Sequence, residues 1–306
     1  MPSPCFRHST LAALIVLAGL SLPVHAQEEA EEESGSRYPT TEFADEAARS
    51  ASVTVGSVTA GISQALRPEY DPSLEVPVLQ VTVDDKPVLE TPGVPSGMGF
   101  VAAEASIAEI DPDNSHPEIY FASYSGGAHC CNHVVVAEEN NGSWVAVTIG
   151  DFDGDGNYLN DLDGDGLAEI ATVDNRFLYT FDCYACSAAP LTVTTVRKGE
   201  VLDISADPRF LPAHRDWLEQ IEGNIEEDRR WTSKGYLAGW IAAKIRVGEG
   251  AEAWQQFTSH WDLAADDGEE VCTSGEDIDS CPRANRKRLK FPDELKLFLE
   301  RTGYLF

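Results

Sequence analysis

Between residues 51 and 205 the apolar positions recur mostly every second residue, and from Pro212 onward the spacing lengthens to nearer 3.6. The first period is that of half-buried strands and the second that of amphipathic helices. VPVLQVTV, the turn residues DDKP and then VLE predict a hairpin over 76–90, and PGVPSG (92–97) interrupts the chain after it. ASIAEI, EIYFASYS, HVVVAEE and SWVAVTIG follow as strand-like runs, with NNG (140–142) a hairpin turn between the last two. PLTVTTV, RKGE and VLDIS predict a further hairpin over 190–205. Past Pro212, Leu237, Trp240, Ile241 and Ile245 form one helical stripe, and Trp254, Phe257 and Trp261 form another. FPDELKLFLERTGY (291–304) reads as a short closing helix, with Pro292 and acids in its first turn and Gly303 behind it. Aromatic residues on helix faces are read as core, because each buries so much apolar area. The fold class is therefore α+β: an antiparallel sheet or sandwich over 51–205, then a helical region over 206–306.

One stretch departs from this patterning. Asp151 to Ile170, DFDGDGNYLNDLDGDGLAEI, contains two DxDGDG hexamers whose first aspartates lie ten residues apart. Carboxylates this dense repel one another unless a cation neutralises them, and oxygen ligands at alternate positions with turn-forming glycines describe a Ca²⁺ loop. In the second half Asp161, Asp163, Asp165, the Leu167 carbonyl and Glu169 supply a plausible oxygen shell. The first half offers Asp151, Asp153, Asp155 and Asn157, with Leu159 where Glu169 has its counterpart, so its shell is incomplete. Position 12 of each half, where an EF-hand has its bidentate Glu, is Leu162 or Thr172, and the residues that follow favour strand over helix. An Asp/Gly-rich surface turn holding no metal is the other reading of either half.

The segment DLDGDGLAEI resembles the calcium loop of FG-GAP/VCBS repeats, the blades of integrin α-subunit propellers and of many exported bacterial proteins. That family's pattern is DxDGDGxx(D/E) followed by an apolar strand, and Asp161, Asp163, Asp165 and Glu169 fall on its ligand positions. The resemblance covers one loop and its strand, and implies a calcium-stabilised β-structure without implying an activity. An echo of the loop, Asp111-Pro-Asp-Asn-Ser-His-Pro-Glu118-Ile119, lies about fifty residues earlier, one residue shorter and without the glycines. It is expected to be a degenerate loop without a tight metal. Two or three such blades cannot close a ring, since propellers use roughly four to eight, so an open sheet or sandwich with partial blades is expected.

Arg7, the apolar run LAALIVLAGLSL and Val24-His25-Ala26 predict a secretory signal over 1–26, cut after Ala26, and hence a periplasmic or secreted protein. Residues 27–50 offer almost nothing to bury and open with a block of acids, so they read as an acidic disordered arm. Beyond the signal no stretch has the length for a membrane span. Fifty-two acidic against 22 basic residues give a net charge of −30, which repels nucleic acid and anionic membrane. Divalent cations or basic partners suit that charge, as does simple solubility. The basic run Arg283, Arg286, Lys287, Arg288 and Lys290 could meet phosphate or lipopolysaccharide, or pair with the protein's own acidic face.

Six cysteines follow the signal: Cys130, Cys131, Cys183, Cys186, Cys272 and Cys281. An even count in an exported chain reads first as disulfides. Cys272 and Cys281 enclose a short polar loop and pair easily. The other four allow three pairings, and cross-links joining Cys130 and Cys131 to Cys183 and Cys186 are preferred, clamping the strands on either side of the calcium loop. Alternatively His129, His133 and these cysteines could ligate a transition metal. Phe181-Asp-Cys-Tyr-Ala-Cys ends a strand-like run, which is not the helix N-terminus of a redox CxxC motif.

No assembled catalytic set stands out. The leading reading is a non-catalytic, calcium-binding, disulfide-stabilised binding or structural module with an unknown protein or envelope ligand. The alternatives are a hydrolase of a cell-envelope polymer, using acids such as Asp216 or Glu219, and a thiol- or transition-metal-binding protein.

Overall fold

The computed structural model describes residues 37–43, 50–71, 73–97, 101–127, 130–154, 156 and 158–305. The signal over 1–26, His129, Asp155 and Asn157 lie outside the described residues. The chain runs through three antiparallel meanders in succession. After β1 (Thr40–Phe43), the strands β2 (Ser50–Val55), β3 (Val58–Leu66), β4 (Glu75–Val83) and β5 (Lys86–Pro92) pair in sequence order. The second meander is β6 (Ala103–Ala108), β7 (Glu118–Tyr124), β8 (Asn132–Asn140) and β9 (Ser143–Phe152), with β1 added at the β6 edge. The third is β10 (Leu159–Asn160), β11 (Glu169–Val173), β12 (Leu191–Arg197) and β13 (Glu200–Asp203). Helices α1 (Leu211–Gly223), α2 (Lys234–Arg246) and α3 (Gly250–His260) follow, then the pair β14 (Glu269–Cys272) and β15 (Arg286–Leu289), then α4 (Phe291–Thr302).

Local chemistry sets the tight turns. Asp84 and Asp85 (φ 49° and 62°), Asn141 and Gly142 (53° and 80°), and Lys198 and Gly199 (55° and 82°) form two-residue connections with both residues left-handed. That geometry matches the twist of the flanking strands. All three hairpins read from the sequence are formed at these turns.

The second meander is buried on both faces. On one side Ala105, Ile107, Ile119, Phe121 and Val135 pack against Val58, Ala60, Ile62, Leu79 and Val81 of the first meander. On the other, Ile110, Tyr120, Ala122, Val134 and Val136 pack against Leu159, Ala168, Ile170 and Val196 of the third. The alternation of Ile119 and Phe121 against Tyr120 and Ala122 is the strand's period of two, with both faces apolar. The far face of the third meander carries Leu191 and Val193, which meet Phe210 with Ala213 and Trp217 against them. The architecture is thus a stack of open sheets covered at one end by helices, with no closed barrel or propeller among the described residues.

Two expectations are corrected. Thr40–Phe43, inside the stretch read as a disordered arm over 27–50, is a strand: Phe43 is buried and the Thr40 hydroxyl meets that of Ser106 at 2.7 Å. Its partner β6 is sixty residues away, so no local pattern announces it. The helical region also holds the two-stranded β14–β15 ribbon, whose second strand carries Arg286, Lys287 and Arg288 of the basic run. There Arg286 and Arg288 donate to the carbonyls of Cys281 (3.1 Å) and Gly268 (2.8 Å), and Lys290 to that of Leu263.

The helices share one core, in which Leu218, Leu237, Ile241, Phe257, Leu295 and Leu299 are buried around Phe177 and Ala189. Trp240 lies inside it, and Trp254 and Trp261 pack against it half-buried. Helix α2 approaches the 186–189 segment across two glycines. A Cβ on Gly235 would come within 2.7 Å of the Ser187 hydroxyl, and one on Gly239 would collide with the Ala188 carbonyl. Gly239→Ala therefore forces the backbone apart, and is expected to destabilise the fold by about 2 kcal/mol or more, although alanine is the better helix former. Urea unfolding checks this; a variant as stable as wild type refutes the close approach.

Candidate cation loop and the cleft beside it

The loop joining β10 to β11 carries the second DxDGDG hexamer. Each aspartate uses one oxygen to wrap the backbone: Asp161 accepts from the Gly164 N–H (2.7 Å), Asp163 from Asp165 (3.1 Å) and Asp165 from Leu167 (2.9 Å). Glu169, the first residue of β11 and only 4% exposed, accepts from the Leu162 N–H at 2.9 Å. Asp161, Asp163 and Glu169 can each place an oxygen within 4.8 Å of the others. Asp165 is exposed and stands outside that group.

Guanidinium groups hold the outward oxygens. Arg37 pairs with Asp161 at 3.2 Å, and Arg209 reaches Asp163 (2.8 Å) and Asp165 (3.2 Å) while also pairing with Asp207. Sequence reasoning missed both arginines, because neither lies near the loop in the chain. Burial, and then the charges of Asp163, Asp165 and Asp161, push the Glu169 carboxyl up to about 7. A cation among these carboxylates would favour the ionised form instead. The donor set of hard oxygens on a tight loop fits Ca²⁺.

The echo at 111–118 occupies the equivalent place in the second meander, between its first and second strands. Glu118, like Glu169, opens the second strand, is fully buried and accepts backbone N–H groups, here of Ile110 (2.7 Å) and Asp111 (2.8 Å). Arg197 lies beside Asp111 at 3.5 Å and also bonds the Ile110 carbonyl. A guanidinium is the cationic partner of this loop.

The first hexamer is built differently. Asp151 lies on β9 and bonds His133 of β8 at 2.9 Å. The carbonyls of Gly154 and Gly156 accept from the side chains of Asn132 (2.9 Å) and Tyr120 (3.1 Å). Among the described residues Asp151 and Asp153 join no group of three ligands.

The disulfides are all local: Cys130–Cys131, Cys183–Cys186 and Cys272–Cys281, the last two with Cα separations of 5.0 and 5.7 Å. The cross-links expected between Cys130/Cys131 and Cys183/Cys186 are not formed, so no covalent clamp spans the loop. With their sulfurs paired, these cysteines present no thiolate to a metal. The segment 181–186 also does not end a strand: β11 stops at Val173, where Asp174 caps a 3₁₀ turn, and Cys183 itself precedes the 3₁₀ turn Tyr184–Cys186. The bond Cys272–Cys281 ties the loop between β14 and β15.

Beside the hexamers a cleft of about 920 Å³ opens between the third meander and α1. Its sheet side includes Asn160, Leu162 and Thr172, and its helix side Asp216, Trp217 and Gln220. Asp216 thus faces a cavity, whereas Glu219, the other acid singled out from the sequence, is exposed and is not part of the lining.

Residues 214–303 match the family model described as the sll0997 C-terminal domain. The chain is 34% identical over 265 residues to the probable thylakoid lumen protein sll0997 of Synechocystis, covering 85% of this chain and 77% of that protein. It is 32% identical over 204 residues to the uncharacterized protein y4bJ of Sinorhizobium fredii, covering 66% of this chain but 32% of that longer protein. No solved structure matches the chain. The chain belongs to the sll0997 family.

Glu118 gives the fold a pH dependence. Burial raises its carboxyl from 4.5 to about 7, against the pull of its hydrogen bonds. Between those values the folded chain holds a proton that the unfolded chain has released, so stability falls as pH rises through that window. Burial acts in the same direction on Glu104, Glu109 and Glu138. Glu118→Gln keeps an acceptor oxygen for the two N–H groups and removes the charge. Denaturation across that pH range should show a shallower loss of stability in the variant; an unchanged slope refutes the assignment.

Proposed function

We propose that the protein is an extracytoplasmic, calcium-stabilised, disulfide-linked module that binds a partner without catalysing a reaction. The observation that carries the calcium reading is the convergence of Asp161, Asp163 and Glu169 within 4.8 Å of one another on a loop already wrapped by its own backbone bonds. Asp165, exposed and outside that group, and the Leu167 carbonyl lie on the same loop and are the further oxygens we assign to the ion. The position of the loop between the first two strands of a four-stranded meander supports an FG-GAP/VCBS-like repeat. The sequence reading of an export signal, and the lumenal description of the Synechocystis relative, support a place outside the cytoplasm.

Calcium is expected to raise the melting temperature, since a ligand that binds only the folded state stabilises it by about 2.7 kcal/mol at a hundredfold excess over Kd. Asp163→Ala should abolish most of that gain. Coincident melting curves in excess Ca²⁺ and in excess EGTA would rule the site out.

Arg209 competes with the ion for Asp163 and Asp165. An exposed pair of this kind is worth up to about 1 kcal/mol, so Arg209→Gln should tighten Ca²⁺ binding by up to about fivefold. Calorimetry on the two proteins decides it, and weaker binding by the variant would show that the guanidinium organises the loop rather than blocks it.

A further inference from the structure

The turn Tyr184–Cys186 gathers a ligand set of a different kind from that of the acid loop. A carboxylate oxygen of Asp182 and the sulfurs of Cys183 and Cys186 lie within 4.8 Å of one another. Cys183 is exposed, whereas the other five described cysteines are half-buried or buried. Asp182 forms no ion pair among the described residues, unlike Asp161 and Asp163 with their arginines. One of its oxygens accepts the Cys183 N–H at 2.9 Å, and the other is left for a ligand.

The cross-link is not what holds this turn. It joins residues three apart, and so short a loop removes little chain entropy from the unfolded state. The backbone is fixed instead by hydrogen bonds that involve no sulfur. The N–H groups of Cys186 and Ser187 donate to the carbonyls of Cys183 (2.9 Å) and Tyr184 (3.1 Å), and the Ser187 hydroxyl donates to that of Cys183 at 2.9 Å. The Ser233 hydroxyl, at the N-cap of α2, donates to the Cys186 carbonyl at 3.2 Å. Opening the disulfide therefore leaves two thiols on a turn that stays formed.

A dithiol opens it in two exchanges. Its thiolate attacks the exposed Cys183 sulfur and Cys186 leaves; its second thiol then releases Cys183, so the reductant becomes a disulfide and two electrons and two protons pass to the pair. The C-x₂-C spacing of the freed thiols is that of zinc ribbons, and one divalent ion binds with release of both thiol protons. Two sulfurs and a carboxylate oxygen suit Zn²⁺, which takes both donor types, rather than Ca²⁺, which takes oxygen, or Cu⁺, which takes sulfur. Around a tetrahedral ion with Zn–S of about 2.3 Å the sulfurs stand about 3.8 Å apart, a span within reach of side chains on Cα atoms 5.0 Å apart. Cys272, Glu276 and Cys281 form a similar group, but both of its sulfurs are buried away from a reductant. We propose that Asp182, Cys183 and Cys186 form a redox-gated Zn²⁺ site, closed as the disulfide and opened by a dithiol, with a fourth position left for water or a ligand.

This site stands apart from the calcium loop, so the test is run in excess Ca²⁺. The full chain is treated briefly with dithiothreitol, desalted without oxygen and titrated with Co²⁺, whose thiolate charge-transfer bands report sulfur ligands, and then with Zn²⁺. One Co²⁺ per reduced chain is expected with those bands, displaced by Zn²⁺, and none in the oxidised chain. Alkylation and peptide mapping should find Cys183 and Cys186 labelled while Cys272 and Cys281 remain paired. Asp182→Asn keeps the disulfide and an acceptor for the Cys183 N–H, and should weaken Zn²⁺ binding at least about tenfold, the loss that removing even an outer-shell partner brings. The double variant Cys183→Ser, Cys186→Ser should lose the bands and melt close to wild type; should it fail to fold, Asp182→Asn still decides. The inference fails if the reduced chain shows no charge-transfer band, if the band persists in the double serine variant, or if Asp182→Asn leaves Zn²⁺ affinity unchanged.

Discussion

Burial of the β6–β9 sheet on both faces is the constraint on which the other layers depend. A strand such as EIYFASY, apolar on both sides, cannot stand as one wall of a two-layer sandwich with its other face in water. The first meander covers the side of Ile119 and Phe121, and the third covers the side of Tyr120 and Ala122. The third meander, apolar in turn at Leu191 and Val193, requires cover of its own from Phe210 and α1. The helical region is therefore the cap that ends the stack, and the cleft lies where sheet gives way to helix.

The two acid loops share one backbone solution but differ in the guanidinium groups set against them. Glu118 and Glu169 both open a strand, both are buried, and both collect N–H groups from the loop that precedes them. Burying a carboxylate is costly unless it is hydrogen-bonded and its charge is offset. In the second meander Arg197 stands against Asp111 at 3.5 Å. In the third, three aspartates and Glu169 gather more negative charge than Arg37 and Arg209 can offset from one side. The difference between the loops is thus one of charge count rather than of topology.

The local disulfides place no covalent cross-link between the Cys130–Cys131 and Cys183–Cys186 segments. The Cys183–Cys186 turn rests on the N-terminus of α2, where the Ser233 hydroxyl donates to the Cys186 carbonyl at 3.2 Å and the Gly235 carbonyl accepts from the Ala188 N–H at 3.2 Å. Its role is to shape the segment that meets the glycine face of α2. That segment continues to Ala189, whose carbonyl orients Trp217.

What the chain spells out by itself is whatever neighbours in sequence decide. The hairpins at Asp84-Asp85, Asn141-Gly142 and Lys198-Gly199, the stripes of α2 and α3, the Gly303 end of α4 and the wrapped 161–169 loop all follow from residues within a few positions of one another. The repeat of the acid loop was likewise legible as spacing. Tertiary structure decided the rest, because each remaining feature joins residues far apart. Thr40–Phe43 becomes a strand only when β6 is beside it, Arg37 and Arg209 reach the loop only once the sheets are stacked, and the four cysteines, whose spacing left three pairings open, pair locally. Periodicity records which face of an element is apolar, but not which other element will cover it, and the site is made of those coverings.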